Sequence, residues 1–235
     1  MRDQATPRTV DSHRPPPITH SPFASPEACC WDYTDICAFL ICVVTLGAFL
    51  RLAIVLHVLP ALAVQEPGVL LQAVLCLCIL FALYATLKLR HGGAVWRALG
   101  WTLPSCRYTF IASFGGALLA AAVILVVQAG GLRAPLVSGW TTAALAASVG
   151  PVLEESFFRG CVLPLVGRTS GTPAAVILTA LLFASFHEPP TVLHCVCFAV
   201  SGVLYGWIRV TSGSTAAAAL MHAAYNLTLF VHQKF

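Results

Sequence analysis

The sequence predicts an all-α fold, a polytopic transmembrane helix bundle of about seven helices. The first reason is its composition, because 58% of the 235 residues are hydrophobic and only 9% are charged. Soluble globular domains carry roughly 25% charged residues, so a water-soluble fold could not cover its surface with this composition. The second reason is that apolar windows of about 20 residues, the length needed to cross a hydrocarbon core of about 30 Å, recur along the chain.

Seven such windows are predicted to form membrane-spanning helices. They lie at about residues 36–59, 69–89, 108–129, 140–163, 172–187, 191–210 and 215–233. The fifth window is short, because at 1.5 Å per residue it reaches only about 24 Å. We therefore expect this helix to end inside the protein rather than to cross the bilayer completely.

The N-terminal segment has a different composition. Residues 1–35 contain six prolines among Arg, Asp, Ser and Thr residues, which leaves too little apolar surface to offset the entropy lost on folding. We predict a disordered cytoplasmic tail at 1–35, N-terminal transmembrane helices at 36–135, and at 136–235 a transmembrane core that carries the candidate catalytic residues. The first apolar run begins too late, and is too long, for a cleaved signal peptide.

The lysine and arginine residues predict the orientation, because cytoplasmic loops are enriched in them. With the N-terminus in the cytoplasm, nine of the 13 fall on the inner side, Arg133 and Lys234 fall on the outer side, and Arg51 and Arg159 lie within predicted spans. The inner set consists of Arg2, Arg8, Arg14, Lys88, Arg90, Arg97, Arg107, Arg168 and Arg209. The net charge of +4 therefore reflects membrane topology, and no basic patch with aromatic residues indicates a nucleic-acid partner.

Three ionisable residues, Glu154, Glu155 and Arg159, lie within the fourth predicted span. Charged groups in the middle of a membrane are costly, so they usually face the bundle interior and mark a functional site. Glu155 and Arg159 are four residues apart and can pair on one helix face, whereas Glu154 points about 100° away. One glutamate would then belong to a structural ion pair and the other would be free for chemistry. A purely structural cluster of all three residues is the alternative.

Two later spans carry further polar residues. His187 ends the fifth predicted span, and His222 and Asn226 lie four residues apart on one face of the seventh. A single buried histidine is more often a hydrogen-bonded core residue, and we assign that role to His57 and His194. For His187 and His222 this interpretation is weaker, because three helices present such groups together.

These groups can supply what the hydrolysis of an amide requires. The reaction needs an activated water, an acceptor for its proton, and hydrogen-bond donors for the oxyanion of the tetrahedral intermediate. Glu154 with His187 can hold and deprotonate the water. His222 and Asn226, adjacent on one face, are suitable donors for the oxyanion. A zinc site with His187, His222 and a glutamate as ligands is the alternative, although the HExxH signature is absent. The residues themselves leave both mechanisms open.

The same residues resemble a known family pattern. Three motifs follow one another on separate hydrophobic helices, in the order Glu154-Glu155-x-x-x-Arg159, Phe183-x-x-x-His187 and His222-x-x-x-Asn226. They resemble the CPBP family of intramembrane proteases, which includes the CAAX prenyl endopeptidases and members linked to bacteriocin self-immunity. The family's pattern before its last motif is also present, as Gly202, Gly206 and the Thr-Ser-Gly-Ser run at 211–214. The two glycines would also let helices approach closely. The resemblance covers about residues 140–230.

The resemblance implies a role for each matched residue. Glu154 would activate the water, with His187 as its partner. The catalytic set would be completed by His222 and Asn226, which stabilise the oxyanion. Glu155 and Arg159 would form a structural ion pair. Members are commonly named metalloproteases, but a glutamate-type mechanism without a catalytic metal is known in the family. We therefore expect no obligatory cofactor, and zinc remains the alternative.

The resemblance also implies a substrate class and a location. We expect an intramembrane endopeptidase, multi-pass in the membrane, that cleaves a membrane-embedded or lipid-anchored peptide, with prenylated CAAX-type peptides as one class. A non-catalytic membrane binding or immunity protein that keeps the fold is the alternative, and a proton- or metal-coupled transporter is a third interpretation. Glu188, directly after His187, departs from the family pattern, and we expect it to end the helix together with the two prolines that follow. The sequence does not indicate which oligomeric state the protein has.

Overall fold

The computed structural model describes residues 32–56, 67–92, 95–132, 140–187 and 189–234. The predicted disordered tail, apart from its last four residues, lies outside the described residues, as do His57 and Glu188. Within the described ranges every regular element is helical, which confirms the prediction of an all-α fold.

The helices match most of the predicted windows. In the described ranges they are α1 Tyr33–Val55, α2 Pro67–His91, α3 Val95–Ala98, α4 Cys106–Ala129, α5 Trp140–Ala147, α6 Val149–Phe157, α7 Leu163–Ser170, α8 Thr172–Phe186, α9 Val192–Ser212 and α10 Thr215–Lys234. A π-helical turn, Phe158–Val162, joins α6 to α7. Helices α2, α4, α8, α9 and α10 agree with five predicted windows to within about two residues at each end, the ordinary uncertainty of helix boundaries.

Two helices in the described part of the chain are long and apolar enough to cross a membrane. They are α4, with 24 residues and a mean hydropathy of 2.6, and α9, with 21 residues and a mean hydropathy of 1.5. Tyr33–Phe49 and Thr172–Phe186 are shorter apolar helices. One candidate span therefore lies in the middle of the chain and one towards its C-terminal end, and the number of seven crossings stays a prediction.

The predicted fourth span, 140–163, is not one continuous helix. Ser148 has φ −127° and ψ −79°, outside the helical region, and separates α5 from α6. Pro151 follows in the first turn of α6, where its missing N–H interrupts no helical hydrogen bond. Beyond α6 the helix continues through the π-helical turn to Ser170. Apolar composition runs unbroken across Ser148, so hydropathy alone cannot locate this break, and one crossing by residues 140–163 stays a prediction.

The first helix begins before the predicted boundary at residue 36. Asp32 caps it, because its Oδ1 accepts a hydrogen bond of 2.9 Å from the main-chain N–H of Asp35. Asp35 is fully buried and forms a salt bridge with Arg90 near the end of α2. The start of α1 and the end of α2 therefore lie side by side, and the two helices are antiparallel. Residues 33–35 belong to this helix, so it begins three residues before the predicted boundary.

The main hydrophobic core lies between α4, α8, α9 and α10. Helices α4 and α10 approach so closely that a Cβ on Gly116 would lie 2.1 Å from the carbonyl oxygen of Met221. Gly202 and Gly206 on α9 face α8, and a Cβ on Gly202 would lie 2.9 Å from the Cα of Ala180. These two glycines therefore allow the close helix approach that their spacing predicts.

The loop between α9 and α10 is bound to the loop before α4. Gly213 has φ +69°, in the left-handed region that glycine adopts without strain. The hydroxyl of Ser214 donates to the carbonyl of Thr102, and the hydroxyl of Thr215 donates to the carbonyl of Leu99 over 2.6 Å. The Thr-Ser-Gly-Ser run thereby fixes where α10 starts, and α10 is the helix that carries two of the candidate catalytic residues.

Candidate active site

A cavity of about 230 Å³ is lined by residues of α2, α5, α6, α8, α9 and α10. Its wall contains the four residues that the sequence singles out, Glu154, His187, His222 and Asn226. Most of the remaining wall is aliphatic or aromatic. A water molecule takes roughly 30 Å³ in the liquid, so the cavity has room for a peptide group together with water. Three motifs that are distant in sequence therefore converge on one space.

Glu154 and His187 face each other at this cavity. The Oε2 atom of Glu154 lies 3.6 Å from Nε2 of His187, beyond the roughly 2.7–3.2 Å of a direct N–H···O hydrogen bond. That carboxylate oxygen has no hydrogen-bond partner among the described residues. The two side chains are partly exposed as a whole, but this oxygen atom of Glu154 is buried.

The other ring nitrogen of His187 fixes which tautomer is present. Nδ1 lies 2.8 Å from the carbonyl oxygen of Phe183, and because a carbonyl oxygen only accepts, Nδ1 carries the hydrogen. In a neutral imidazole Nε2 is then an acceptor. Nε2 of His187 and the ionised carboxylate of Glu154 therefore present lone pairs to the same space. A water molecule there can donate one O–H to each of them.

Glu155 and Arg159 form a fully buried salt bridge. Nη1 of Arg159 donates to Oε1 of Glu155 over 3.1 Å, and Nη2 donates to the carbonyl of Gly202 over 2.8 Å. The guanidinium carbon also lies 4.8 Å from the ring centroid of Phe183 and 5.3 Å from that of Tyr205, close enough for cation–π attraction. Arg159 thereby connects the helix that carries Glu155 to α8 and α9.

His222 joins this salt bridge from α10. Its Nδ1 lies 3.0 Å from Oε1 of Glu155, the oxygen that also accepts from Arg159. His222 is buried, and its ring stacks on Tyr205 with centroids 4.8 Å apart and an interplanar angle of 17°. Because the carboxylate oxygen accepts, Nδ1 of His222 is the donor and Nε2 is the nitrogen left for the cavity. The motifs suggest separate roles for Glu155 and His222, whereas in the structure the two are directly bonded.

Asn226 lines the cavity, but one side of its amide is already engaged. Nδ2 donates to the carbonyl oxygen of Ala146 over 2.6 Å. Ala146 lies in the last turn of α5, where carbonyl groups lack an intrahelical partner. Asn226 therefore caps α5 at the break before α6. One N–H of its amide remains for another acceptor.

The zinc alternative has no ligand set in the described part of the chain. Among those residues, no group of three or more His, Cys, Asp or Glu side chains is arranged to hold a metal ion. The glutamates and histidines form two separate pairs instead, Glu154 with His187 and Glu155 with His222.

Two groups at the site do not stand out in the sequence. One is the carbonyl of Phe183, a main-chain acceptor whose only sequence signal is its position four residues before His187. The other is Tyr205, which is buried and has a hydroxyl without a hydrogen-bond partner among the described residues. A lone tyrosine in an apolar helix is usually a core residue, so the pattern does not reveal it. His194 is buried and lies 2.8 Å from the hydroxyl of Thr191, in agreement with the core role expected of it.

Comparison with known protein families points in the same direction as this geometry. A family model described as Rce1-like, type II CAAX prenyl endopeptidase Rce1-like, matches residues 136–228. The matched segment contains all three motifs and the helices that carry them. No curated protein and no solved structure matches the chain. Proteins of the matched family are membrane-embedded endopeptidases. Over residues 136–228, this chain is therefore similar to the type II CAAX prenyl endopeptidases.

Proposed function

We propose that the protein is an intramembrane endopeptidase that hydrolyses a peptide bond with a water molecule held between Glu154 and His187. The observation that carries this proposal is the separation of 3.6 Å between Oε2 of Glu154 and Nε2 of His187. Both atoms are acceptors when the glutamate is ionised and the histidine is neutral, so a shared water is the donor that satisfies both. The unpartnered Oε2 of Glu154 supports the same placement, since buried polar atoms rarely lack a partner.

In the proposed reaction, Glu154 accepts a proton from the water as its oxygen attacks the carbonyl carbon of the scissile amide. The new C–O bond gives a tetrahedral intermediate whose former carbonyl oxygen is negatively charged. Collapse of this intermediate breaks the C–N bond, and the proton held by Glu154 passes to the amine that leaves. His187 orients the water through Nε2. Water and peptide are the only reactants consumed.

His222 and Asn226 are proposed to bind the oxyanion. Asn226 offers its second amide N–H, because the first is bonded to Ala146. His222 can donate through Nε2 only when its ring is doubly protonated, because the hydrogen on Nδ1 is bonded to Glu155. The carboxylate of Glu155, 3.0 Å away, would stabilise that positive charge.

Glu155 and Arg159 are proposed to hold the site in shape without reacting. The salt bridge between them is fully buried, and Arg159 also binds the Gly202 carbonyl on α9. The position next to Glu155 on the same helix is Glu154, so fixing Glu155 also fixes the direction in which Glu154 points. This arrangement would keep the water-binding carboxylate at the cavity.

The proposed setting is an integral membrane protein with several crossings and a cytoplasmic N-terminus. The outer face of α4 supports this setting, because its large side chains are apolar although they are 56–68% exposed, namely Phe110, Phe114, Leu118 and Leu125. Soluble proteins rarely expose a continuous apolar stripe of this kind. Lipid acyl chains would cover it. Helices α4 and α9 are the candidate membrane-spanning helices among the described residues.

The proposed substrate is a membrane-embedded or lipid-anchored peptide. Prenylated CAAX-type peptides are one candidate class, since the matching family model is that of type II CAAX prenyl endopeptidases. The largely apolar wall of the cavity suits a peptide group flanked by apolar side chains.

The test is cleavage of a lipid-anchored reporter peptide by the purified protein in lipid vesicles. Glu154→Gln keeps the size of the side chain but removes the base, so it should slow cleavage by about 10²–10⁴-fold, and His187→Ala should also slow it strongly. His232→Ala, an exposed histidine near the end of α10, is the control and should cleave normally. If the wild-type protein binds the peptide without cleaving it, and Glu154→Gln binds equally well, the non-catalytic alternative is correct instead.

A further inference from the structure

The proposed oxyanion site has few hydrogen-bond donors that are free. The Nδ1–H of His222 is bonded to Glu155, and one amide N–H of Asn226 is bonded to Ala146. What remains is a single N–H of Asn226 and, in the doubly protonated ring, Nε2–H of His222. Donors fixed around a developing oxyanion are usually the largest single contribution to catalysis. An additional donor on this cavity wall would therefore have a large effect on the rate.

Tyr205 carries a donor that no described residue uses. The residue is 1% exposed, and its hydroxyl oxygen is buried without a hydrogen-bond partner among the described residues. Its neighbour Phe183, with ring centroids 6.0 Å apart, offers no side-chain acceptor. Buried polar groups are nearly always bonded, and an exception in a folded protein requires an explanation.

The position of Tyr205 supplies that explanation. Tyr205 lines the same cavity as Glu154 and His187. Its ring is stacked on His222 with centroids 4.8 Å apart. The stacking holds the phenol beside the imidazole that is proposed to bind the oxyanion. The adjacent Gly206 packs against α8, where a Cβ would lie 3.1 Å from Val176, so the backbone at this point of α9 is held close to α8.

We propose that the hydroxyl of Tyr205 is a catalytic hydrogen-bond donor, which binds the carbonyl oxygen of the scissile amide beside His222. The bond strengthens when that oxygen becomes negative, because hydrogen bonds to charged acceptors are about twice as strong as neutral ones. The phenol keeps its proton throughout, and no covalent bond to Tyr205 forms or breaks. This assignment rests on the proposed hydrolytic function and adds a residue that lies outside the three motifs.

Tyr205→Phe tests the assignment, because it removes one oxygen and keeps the ring that stacks on His222. The value of kcat for the reporter peptide should fall about 10²-fold with little change in KM, since the lost donor acts mainly in the transition state. The thermal midpoint of unfolding without substrate should stay the same or rise, because an unpartnered buried hydroxyl is removed. A purely structural tyrosine would show the opposite pattern, with a lower midpoint and an unchanged kcat.

Tyr225→Phe is the matched comparison. Tyr225 lines the same cavity, but its hydroxyl is hydrogen-bonded to Ser201. Its loss should lower the thermal midpoint and reduce kcat less than Tyr205→Phe does. Tyr108→Phe, on α4 and outside the cavity, should leave both quantities unchanged.

The outcomes separate this assignment from the proposed function. Cleavage that is lost in Glu154→Gln but normal in Tyr205→Phe overturns the assignment alone. A thermal midpoint that falls in Tyr205→Phe as far as in Tyr225→Phe also overturns it, because the hydroxyl would then have a partner. If the wild-type protein cleaves nothing, the proposed function fails and the assignment fails with it.

Discussion

Glu155 on α6 and His222 on α10 are joined by a hydrogen bond of 3.0 Å, deep in the described core. The carboxylate oxygen in this bond is also the one that binds Arg159. Oε1 of Glu155 therefore binds both its ion-pair partner Arg159 and the candidate oxyanion donor His222. Any change at Glu155 should disturb both the stability of the bundle and the chemistry at the cavity.

Glu155→Gln should destabilise the protein strongly. It leaves the guanidinium of Arg159 buried without its counter-charge, and breaking a buried pair in this way costs about 3–5 kcal/mol. Thermal or denaturant unfolding in detergent measures this loss. Cleavage should fall as well, because a neutral amide would stabilise a charged His222 less than the carboxylate does.

The double variant Glu155→Gln with Arg159→Met is the control for that interpretation. Removing both charges removes the uncompensated one, so the double variant should be more stable than Glu155→Gln alone. A double variant that loses as much stability as the two single variants together would show that the ion pair is not the cause. Cleavage should not recover in the double variant, since the neutral amide introduced at position 155 still stabilises a charged His222 less than the carboxylate does.

Glu154→Gln should behave differently from the change at the adjacent position. The side chain of Glu154 is 32% exposed, and its Oε2 has no partner among the described residues, so little stability is lost. Cleavage should fall by about 10²–10⁴-fold, the usual contribution of a general base. The comparison of unfolding midpoints and cleavage rates of Glu154→Gln and Glu155→Gln separates the two roles. Equal losses of stability would contradict the division between a reacting and a structural glutamate.

The chemical groups of the candidate site could be predicted from the sequence because they are conspicuous. A glutamate, an arginine or a histidine within an apolar helix costs free energy, so Glu154, Arg159 and His222 stand out. Their partners could not be predicted in the same way. The bond between Glu155 and His222 joins residues 67 positions apart, and it depends on how α6 and α10 pack.

The helices could be predicted because long apolar windows report them directly. The break at Ser148 could not, because its neighbours on both sides are apolar and helical. The hydrogen-bond partners of main-chain groups cannot be predicted from the sequence either. The carbonyl of Ala146, which binds Asn226, becomes available only because α5 ends there. The sequence predicts only an oxyanion donor at Asn226, whereas in the structure its amide also caps a helix.

Gly116→Ala should disrupt the contact between α4 and α10. A Cβ at this position would lie 2.1 Å from the carbonyl oxygen of Met221, so the helices would have to move apart. Overpacking of this kind typically costs about 1–3 kcal/mol, which a lower unfolding midpoint would reveal. Gly47→Ala on α1 is the matched control, because no atom of a packing neighbour in the described part of the chain lies within 4 Å of its Cβ position. Helix propensity should make that variant neutral or slightly more stable, and equal effects of the two variants would contradict the packing argument.

Asn226→Ala should loosen α5 as well as slow cleavage. The hydrogen bond from Nδ2 to Ala146 holds the last turn of that helix, and losing about 1–1.5 kcal/mol there corresponds to roughly tenfold faster amide exchange. Hydrogen–deuterium exchange of the segment Trp140–Ala147 measures this directly. Thr228→Val is the control, because among the described residues the Thr228 hydroxyl bonds to the Ala224 carbonyl within α10, so exchange in α5 should not change. If Asn226→Ala slows cleavage while exchange in α5 stays normal, the side chain acts on the oxyanion alone and its capping role is unimportant.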